Sequence, residues 1–409
     1  AYWTLSALWS AWLWGRQTAT PIMAALRRRR YDWGWHATAL RAALNHARPV
    51  IKGGGAAMAF IPEAEPGFIS AALAGFDKAG FAITGRALRQ DMGPALFRWT
   101  TASSVTLPIE DQILAQRSKA AATELLRSRG EPTPYAILHA AVWSDLAQRR
   151  LLSSSWQKVG TPPLAQIGDA LESALENRDD FSRLDPWSEI ESGSYWLTNP
   201  RRTEPPLADR VEMQVVELLR QGEVLSAIEV ESYVAQALPG LLTPDRGLVL
   251  ACLRSYAERQ AGMETWRMRD QERLEARQED CDLIITTLMD LGKRLGYMVK
   301  RKTCIEWRAP QGGLNYRFRI QASAAMEEIL ADTLEPRLTL VLPGGRSALL
   351  NEKARRDARI KAWLDRGNCV VKFRHVRRLA ADRKLQRENF AECLVLDPPE
   401  QQDPQMRLL

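Results

Sequence analysis

Pro49-Val50-Ile51-Lys52-Gly53-Gly54-Gly55-Ala56-Ala57-Met58-Ala59-Phe60-Ile61 is the stretch on which the fold turns. A helical period over Tyr31 to Ala47 ends before Pro49, and the glycines then supply a turn. The apolar run Ala56 to Ile61 is short and bounded by Gly and Pro, as a buried strand is. Working downstream, Gly67 to Ala79 has a helical period stopped by Gly80, and Phe81 to Leu88 is a strand. Gly93-Pro94 turns the chain, and Ala95 to Thr101 returns as a strand. Upstream, Tyr2 to Trp14 places Leu5, Leu8, Trp9, Trp12 and Leu13 at helical spacing. The pattern predicts half of an α/β sheet that ends in an antiparallel hairpin.

The chain has 409 residues, 45% of them hydrophobic and 26% charged, which is too much for one core and too apolar for disorder. Net charge is +7, a small excess that says less than its placement. Arg346 to Arg387 holds fourteen Lys/Arg against four Asp/Glu, and Arg16 to Arg48 holds seven Arg against one Asp. Five dispersed cysteines without a CxxC are expected to be reduced, buried thiols, and four histidines without metal-ligand spacing predict no metal site. Ala1 to Gly15 is uncharged, with four tryptophans. It falls short of the roughly 20 residues of a membrane helix and lacks a basic leader, so a buried helix is expected, with an interfacial helix followed by the Arg27–Arg30 cluster as the alternative. Its opening without Met is what a fragment of a longer protein would show.

Residues 103–200 and 207–270 are helical, each with about three helices followed by a short aromatic strand, Tyr195-Trp196-Leu197 and Thr265-Trp266-Arg267-Met268. Three helices plus a hairpin is the outline of a winged helix. Its recognition helix in the first unit, Pro163–Asn177, is acidic through Asp169, Glu172 and Glu176. In the second, Arg246, Arg254 and Arg259 are cations suited to phosphate. Residues 271–409 open with a long helix, Gln271 to Leu295. Strands are predicted at Cys304–Arg308, Tyr316–Ala322 and Arg337–Leu342, then a basic helix Ser347–Asp365 and a last strand Cys369–His375. This is a small α/β domain.

The Pro49-x-x-Lys52-Gly53-Gly54 turn and the elements after it resemble the closing part of class I S-adenosylmethionine-dependent methyltransferases. The Trp-rich opening resembles the helix that follows the catalytic Asp/Asn-Pro-Pro-Tyr loop of DNA amino-methyltransferases. The resemblance covers residues 1–102. It implies S-adenosylmethionine as the cofactor of an intact protein and methylation of adenine N6 or cytosine N4, with the target base flipped out. The chain departs from the family where chemistry is done. It has no Gly-rich loop after a strand and no Asp-Pro-Pro-Tyr, and Asp397-Pro398-Pro399-Glu400 lacks the aromatic. No catalytic, cofactor-binding or metal residue is assigned, and no cofactor is expected to bind this chain alone.

The order of elements in residues 271–409 resembles the restriction-endonuclease-like core. That core needs an acidic residue on one strand and Glu-x-Lys on the next to hold Mg²⁺ and activate water. Glu306 suits the first role, but Gln321 and Ser323 stand where Glu and Lys are required. What remains is the basic cluster. Arg346, Lys353, Arg355, Arg356, Arg359, Lys372, Arg374, Arg377 and Arg378 are the candidate nucleic-acid contacts, and Pro343-Gly344-Gly345-Arg346-Ser347 is a candidate phosphate cradle at a helix N-terminus.

Together these modules resemble the downstream part of prokaryotic DNA methylase proteins from restriction-modification or phage-defence loci. DNA is the expected partner, with a protein partner as a second role for the winged helices; no membrane is expected and the location is cytoplasmic. Two other classes fit the same residues: a non-enzymatic DNA-binding adaptor on a decayed methyltransferase scaffold, and a degenerate nuclease-like protein that binds RNA.

Overall fold

The computed structural model describes residues 2–28, 31–52, 54–62, 64–89, 91, 93–102, 110–152, 156, 164–184, 189–260, 262–332, 334 and 337–397. The chain is mixed α/β and divides into two compact units, residues 1–128 with 133–202, and residues 129–132 with 203–409.

The first unit begins with helices α1 (Tyr2–Trp14), α2 (Arg16–Arg28) and α3 (Trp33–Ala47), the last capped by the Asp32 carboxylate on the Trp35 amide. Strand β1 (Ala56–Ile61), α4 (Pro66–Lys78), β2 (Phe81–Ala87) and β3 (Ala95–Thr101) follow, within one residue of their predicted bounds. The sheet order is β1-β3-β2, and β3 runs antiparallel to both neighbours. Packing of α4 makes one sheet face a core, where Phe76 stacks on Trp99 at 3.7 Å. The other face leaves Met58 and Phe60 of β1 64% exposed, with Leu96 beside Phe60 in register. Helix α1 is not the buried helix expected. Leu8, Trp9, Trp12, Leu13 and Trp14 are exposed, since α1 packs mainly against α2. The side chains of Arg27 to Arg30 lie outside the described residues.

The same unit continues through α5 (Asp111–Arg129), β4 (Thr133–Pro134), α6 (Tyr135–Gln148), α7 (Ala165–Glu176), β5 (Phe181–Arg183) and β6 (Ser194–Leu197), with sheet order β4-β6-β5. An equivalent series opens the second unit: α8 (Leu207–Arg220), β7 (Leu225–Ser226), α9 (Ala227–Ala237), α10 (Arg246–Tyr256), β8 (Ala257–Arg259) and β9 (Thr265–Met268), ordered β7-β9-β8. Each series is helix, short strand, two helices and a hairpin, and in each the first strand pairs with the last.

The rest of the second unit is a three-layer α/β body. Helix α11 (Leu274–Arg294) leads into β10 (Met298–Arg301), β11 (Ile305–Arg308) and β12 (Leu314–Ile320). Then come α12 (Glu327–Ala331), β13 (Leu338–Leu342), α13 (Ser347–Arg356), α14 (Ala358–Asp365), β14 (Cys369–Lys372), α15 (Phe373–Ala381) and α16 (Phe390–Leu394). The five strands are ordered β10 to β14, antiparallel up to β12 and parallel from there on. Trp307, Phe318, Val341 and Val371 pack under α11 and α15, and Leu338, Leu340 and Val370 under α12 and α14. β10 is additional to the predicted strands. The predicted basic helix is two helices, broken at Asp357, whose carboxylate caps α14 through the Arg359 amide. The predicted last strand stops at Lys372, where α15 begins. All five cysteines are free, but only Cys252 is fully buried.

Candidate nucleic-acid interface

Helix α13 carries the centre of the predicted basic cluster, and two of its three cations, Lys353 and Arg356, point inward. Leu349 joins the apolar core made by α8, α9 and α10. Four residues on from Leu349, Lys353 reaches the same interior, where its ammonium donates to Asp209 Oδ1 (2.6 Å), Glu212 Oε2 (2.5 Å) and the Ala324 carbonyl (2.9 Å). Burial works against both charges. The Glu212 and Asp209 carboxylates nevertheless hold the Lys353 pKa above its ordinary value, and Lys353 with the Tyr256 hydroxyl holds Glu212 below the usual carboxylate range. Asp209 Oδ2 also accepts from the Met326 and Glu327 amides, so one carboxylate ties α8 to both α12 and α13.

Arg346 is fully buried. It pairs with Glu272, donates to the Ser255 and Ala322 carbonyls, and lies over the Tyr256 ring at 3.4 Å. The preceding glycine turn is therefore not an open phosphate cradle: Gly344–Arg346 is a 3₁₀ turn, and the Gly345 carbonyl accepts from the Ser255 hydroxyl. Arg356 pairs with Asp245, the α10 cap, and with Glu131. Arg359 bonds Asp357 and the Gly130 carbonyl. Lys372 is buried on Asp397 at 2.8 Å. Thus Arg346, Lys353, Arg356 and Lys372 do not face solvent, and the expectation that they meet a polyanion is corrected. Desolvated cations require carboxylates beside them, and those carboxylates leave no charge for a phosphate.

The other predicted cations are accessible. Arg355 is paired with Glu352 but its side chain is 75% exposed. On α15, Phe373, Val376 and Leu379 are buried, so Arg374, Arg377 and Arg378 share the opposite face at three- and four-residue spacing. Arg374 is tied to Asp397, Arg377 to Asp280, and Arg378 to the His375 ring, and all three keep solvent access. Arg383 and Lys384 follow, both exposed. Arg294 closes the C-terminal end of α15 by donating to the Leu379, Ala380 and Asp382 carbonyls. On β10 and the turn after it, Lys300, Arg301 and Lys302 are exposed as well. The sequence reading missed this run, although three successive cations beside a turn are their own signal.

Helix α10 is the third helix of the second series, and α13 packs along it within the same unit. Arg246 is paired with Glu231, and Arg259 with Glu264, while Arg254 is exposed. The nuclease-like constellation is not assembled either. Glu306 is held by Arg308 (2.8 Å) and Lys302 (3.3 Å), and its carboxyl sits low because of them. Gln321 donates to the Ser323 and Ala325 carbonyls and so secures the turn after β12. Asp397 is the partner of Lys372 and Arg374, and residues 398–400 lie outside the described residues. Among the described residues no group of three or more His, Cys, Asp or Glu is placed to hold a metal ion, and no helix is long and apolar enough to cross a membrane. No family model, curated protein or solved structure matches the chain.

Proposed function

We propose that the chain is the DNA-handling part of a DNA amino-methyltransferase-like protein of a modification or phage-defence system. In this reading it is inactive until strands bearing the cofactor and catalytic loops extend its sheet at the β1 edge. The observation that carries the reading is the β1-β3-β2 sheet. It has the reversed middle strand with which the methyltransferase sheet closes, and it ends in an edge strand whose Met58 and Phe60 lie uncovered beside Leu96. The two helix-strand-helix-helix-hairpin series, each with its first strand paired to its last, support the winged-helix part of the reading.

Among the described residues, the glycine turn that carries the resemblance is not shaped as a cofactor cradle. Gly54 and Gly55 precede a strand instead of opening a helix, and the Gly55 amide is used on the Lys52 carbonyl. No chemical step is therefore derived through the cofactor. Calorimetry of this chain with S-adenosylmethionine is expected to show no saturable heat, and clear binding would overturn the need for added strands.

In this proposal duplex DNA meets the α15 face. The triple variant Arg374→Ala/Arg377→Ala/Arg378→Ala is expected to reduce affinity and to flatten the log–log salt slope by about two to three, from ~0.9 per lost phosphate contact. Arg355→Ala, on α13, changes the slope by at most ~1. A triple variant that binds duplex DNA as the parent does removes the α15 face from the reading. A protein-adaptor role for the winged-helix units is favoured by one observation: α13 already occupies the α10 face. If the parent chain shows no salt-dependent DNA binding, the adaptor reading takes its place.

A further inference from the structure

A cleft of about 910 Å³ in the first unit lies among α3, α4, α6 and α7. Its walls are aromatic. Tyr31 comes from the turn before α3 and Trp33 and Trp35 from its first turn, and Tyr135, His139 and Trp143 form a stripe at four-residue spacing along α6, with centroids 5.8 and 5.6 Å apart. The Trp33 ring is seated against Gly67, where any Cβ would lie 2.1 Å from the indole nitrogen. The rim is acidic: Glu65, Glu172 and Glu191 line it with the capping Asp32, and no Lys or Arg does so among the described residues.

Two further observations point to a ligand. His139 is 6% exposed and Trp143 is 1% exposed, yet His139 Nδ1 and Trp143 Nε1 have no hydrogen-bond partner among the described residues, and both side chains line the cleft. Buried polar atoms in this state cost stability unless something satisfies them, and for the Trp143 N–H that must be an acceptor, such as a hydroxyl or carbonyl carried by the same ligand. Burial also pushes the His139 imidazole down to about 3, so it is neutral and adds no positive charge to the cleft. Glu172 is raised above the usual carboxylate range by burial and by Glu191, Asp169 and Glu176, which marks a crowded negative potential.

We propose that this cleft binds an organic cation, an alkylammonium or guanidinium head, between its aromatic walls and its carboxylates. Aromatic faces attract such cations and carboxylates neutralise them. The same carboxylates repel a phosphate backbone, so this site is separate from the α15 face and does not rest on DNA binding. The cation has two possible carriers, a free small amine or a basic side chain on a peptide.

The test uses the full chain and reads tryptophan fluorescence. Choline is one arm, its uncharged isostere 3,3-dimethylbutanol is the control, and a capped peptide with one trimethyllysine is the second arm. Choline is expected to quench saturably and to bind at least about tenfold tighter than the isostere, the ratio that 1.4 kcal/mol of charge recognition gives. A peptide that binds about tenfold tighter than choline assigns the site to a side chain; equal or weaker binding assigns it to a free amine. Glu172→Gln is expected to weaken choline by about five- to tenfold. Gly168, on α7, lines the cleft with open space at its Cβ, so Gly168→Leu fills the cleft and also favours the helix. That variant should melt no lower than the parent and lose choline binding. Equal binding of the isostere, choline binding that survives Gly168→Leu, or no saturation up to about 10 mM each sinks the proposal.

Discussion

Lys353→Met is expected to destabilise the chain by about 3–5 kcal/mol near neutral pH, because it leaves Asp209 and Glu212 buried without their cation. Urea titration followed by circular dichroism would measure it. The pH dependence gives the effect a signature that lost packing cannot imitate. In the parent, Glu212 is depressed on folding, so its contribution is present above the ordinary carboxylate pKa and is lost as pH falls through the folded value. Lys353 is raised on folding, so its contribution is present below the ordinary lysine pKa and is lost only as pH rises through the folded value. The parent should therefore weaken in acid. In Lys353→Met two carboxylates share a dry site, so one pKa rises and the loss should shrink as pH falls below about 6. Lys353→Met/Glu212→Gln should recover much of the stability at neutral pH, since a Gln oxygen can still accept from Tyr256 and the Ala324 amide. A Lys353→Met loss below 1 kcal/mol with no pH dependence would return Lys353 to the list of surface cations.

That result bears directly on function, because it decides how much of a dense basic stretch is available to a nucleic acid. Strand β1 was legible down to its ends, since an apolar run between Gly and Pro has few alternatives, but its expected burial was not met: at the sheet edge Met58 and Phe60 are exposed. The inward turn of the cluster was not legible, because Lys353 finds Asp209 144 residues away and no local pattern encodes that. A partial signal was present. Ala208, Glu212, Val215 and Leu219 form one helical stripe with an acid inside it, and Leu349, Leu350 and Lys353 form another with a base inside it. A charge on an apolar stripe asks for a buried partner of opposite sign. Likewise Cys369 to His375 alternates like a strand, whereas Phe373, Val376 and Leu379 have the spacing of a helix; tertiary packing under α11 favours the helix.

Gly130→Ala is expected to destabilise the second unit by at least about 3 kcal/mol, and the reason lies in what its turn holds. Gly130 follows α5 with φ +66°, a left-handed conformation that costs an L side chain about 1–2 kcal/mol. A Cβ there would also lie 2.0 Å from the Glu204 carbonyl oxygen and 2.5 Å from that of Pro205, both backbone atoms that move only with the chain. The turn is an anchor for α8, α13 and α14. The Gly130 carbonyl accepts from Arg359, and Glu131 accepts from Arg356 and from the Ala208 amide. Displacing it should release the two arginines with the helices they belong to. Gly222 supplies the control, since its φ is +82° and its Cβ would meet nothing within 4 Å. Gly222→Ala should cost only the conformational term of about 1–2 kcal/mol. Hydrogen exchange would separate the two: about 3 kcal/mol corresponds to a loss of protection of more than a hundredfold in α8 and α13 for Gly130→Ala, against about tenfold for Gly222→Ala. Equal losses would mean that the Glu204–Pro205 backbone yields freely. The arginines at 356 and 359 would then be loosely held and open again to a phosphate.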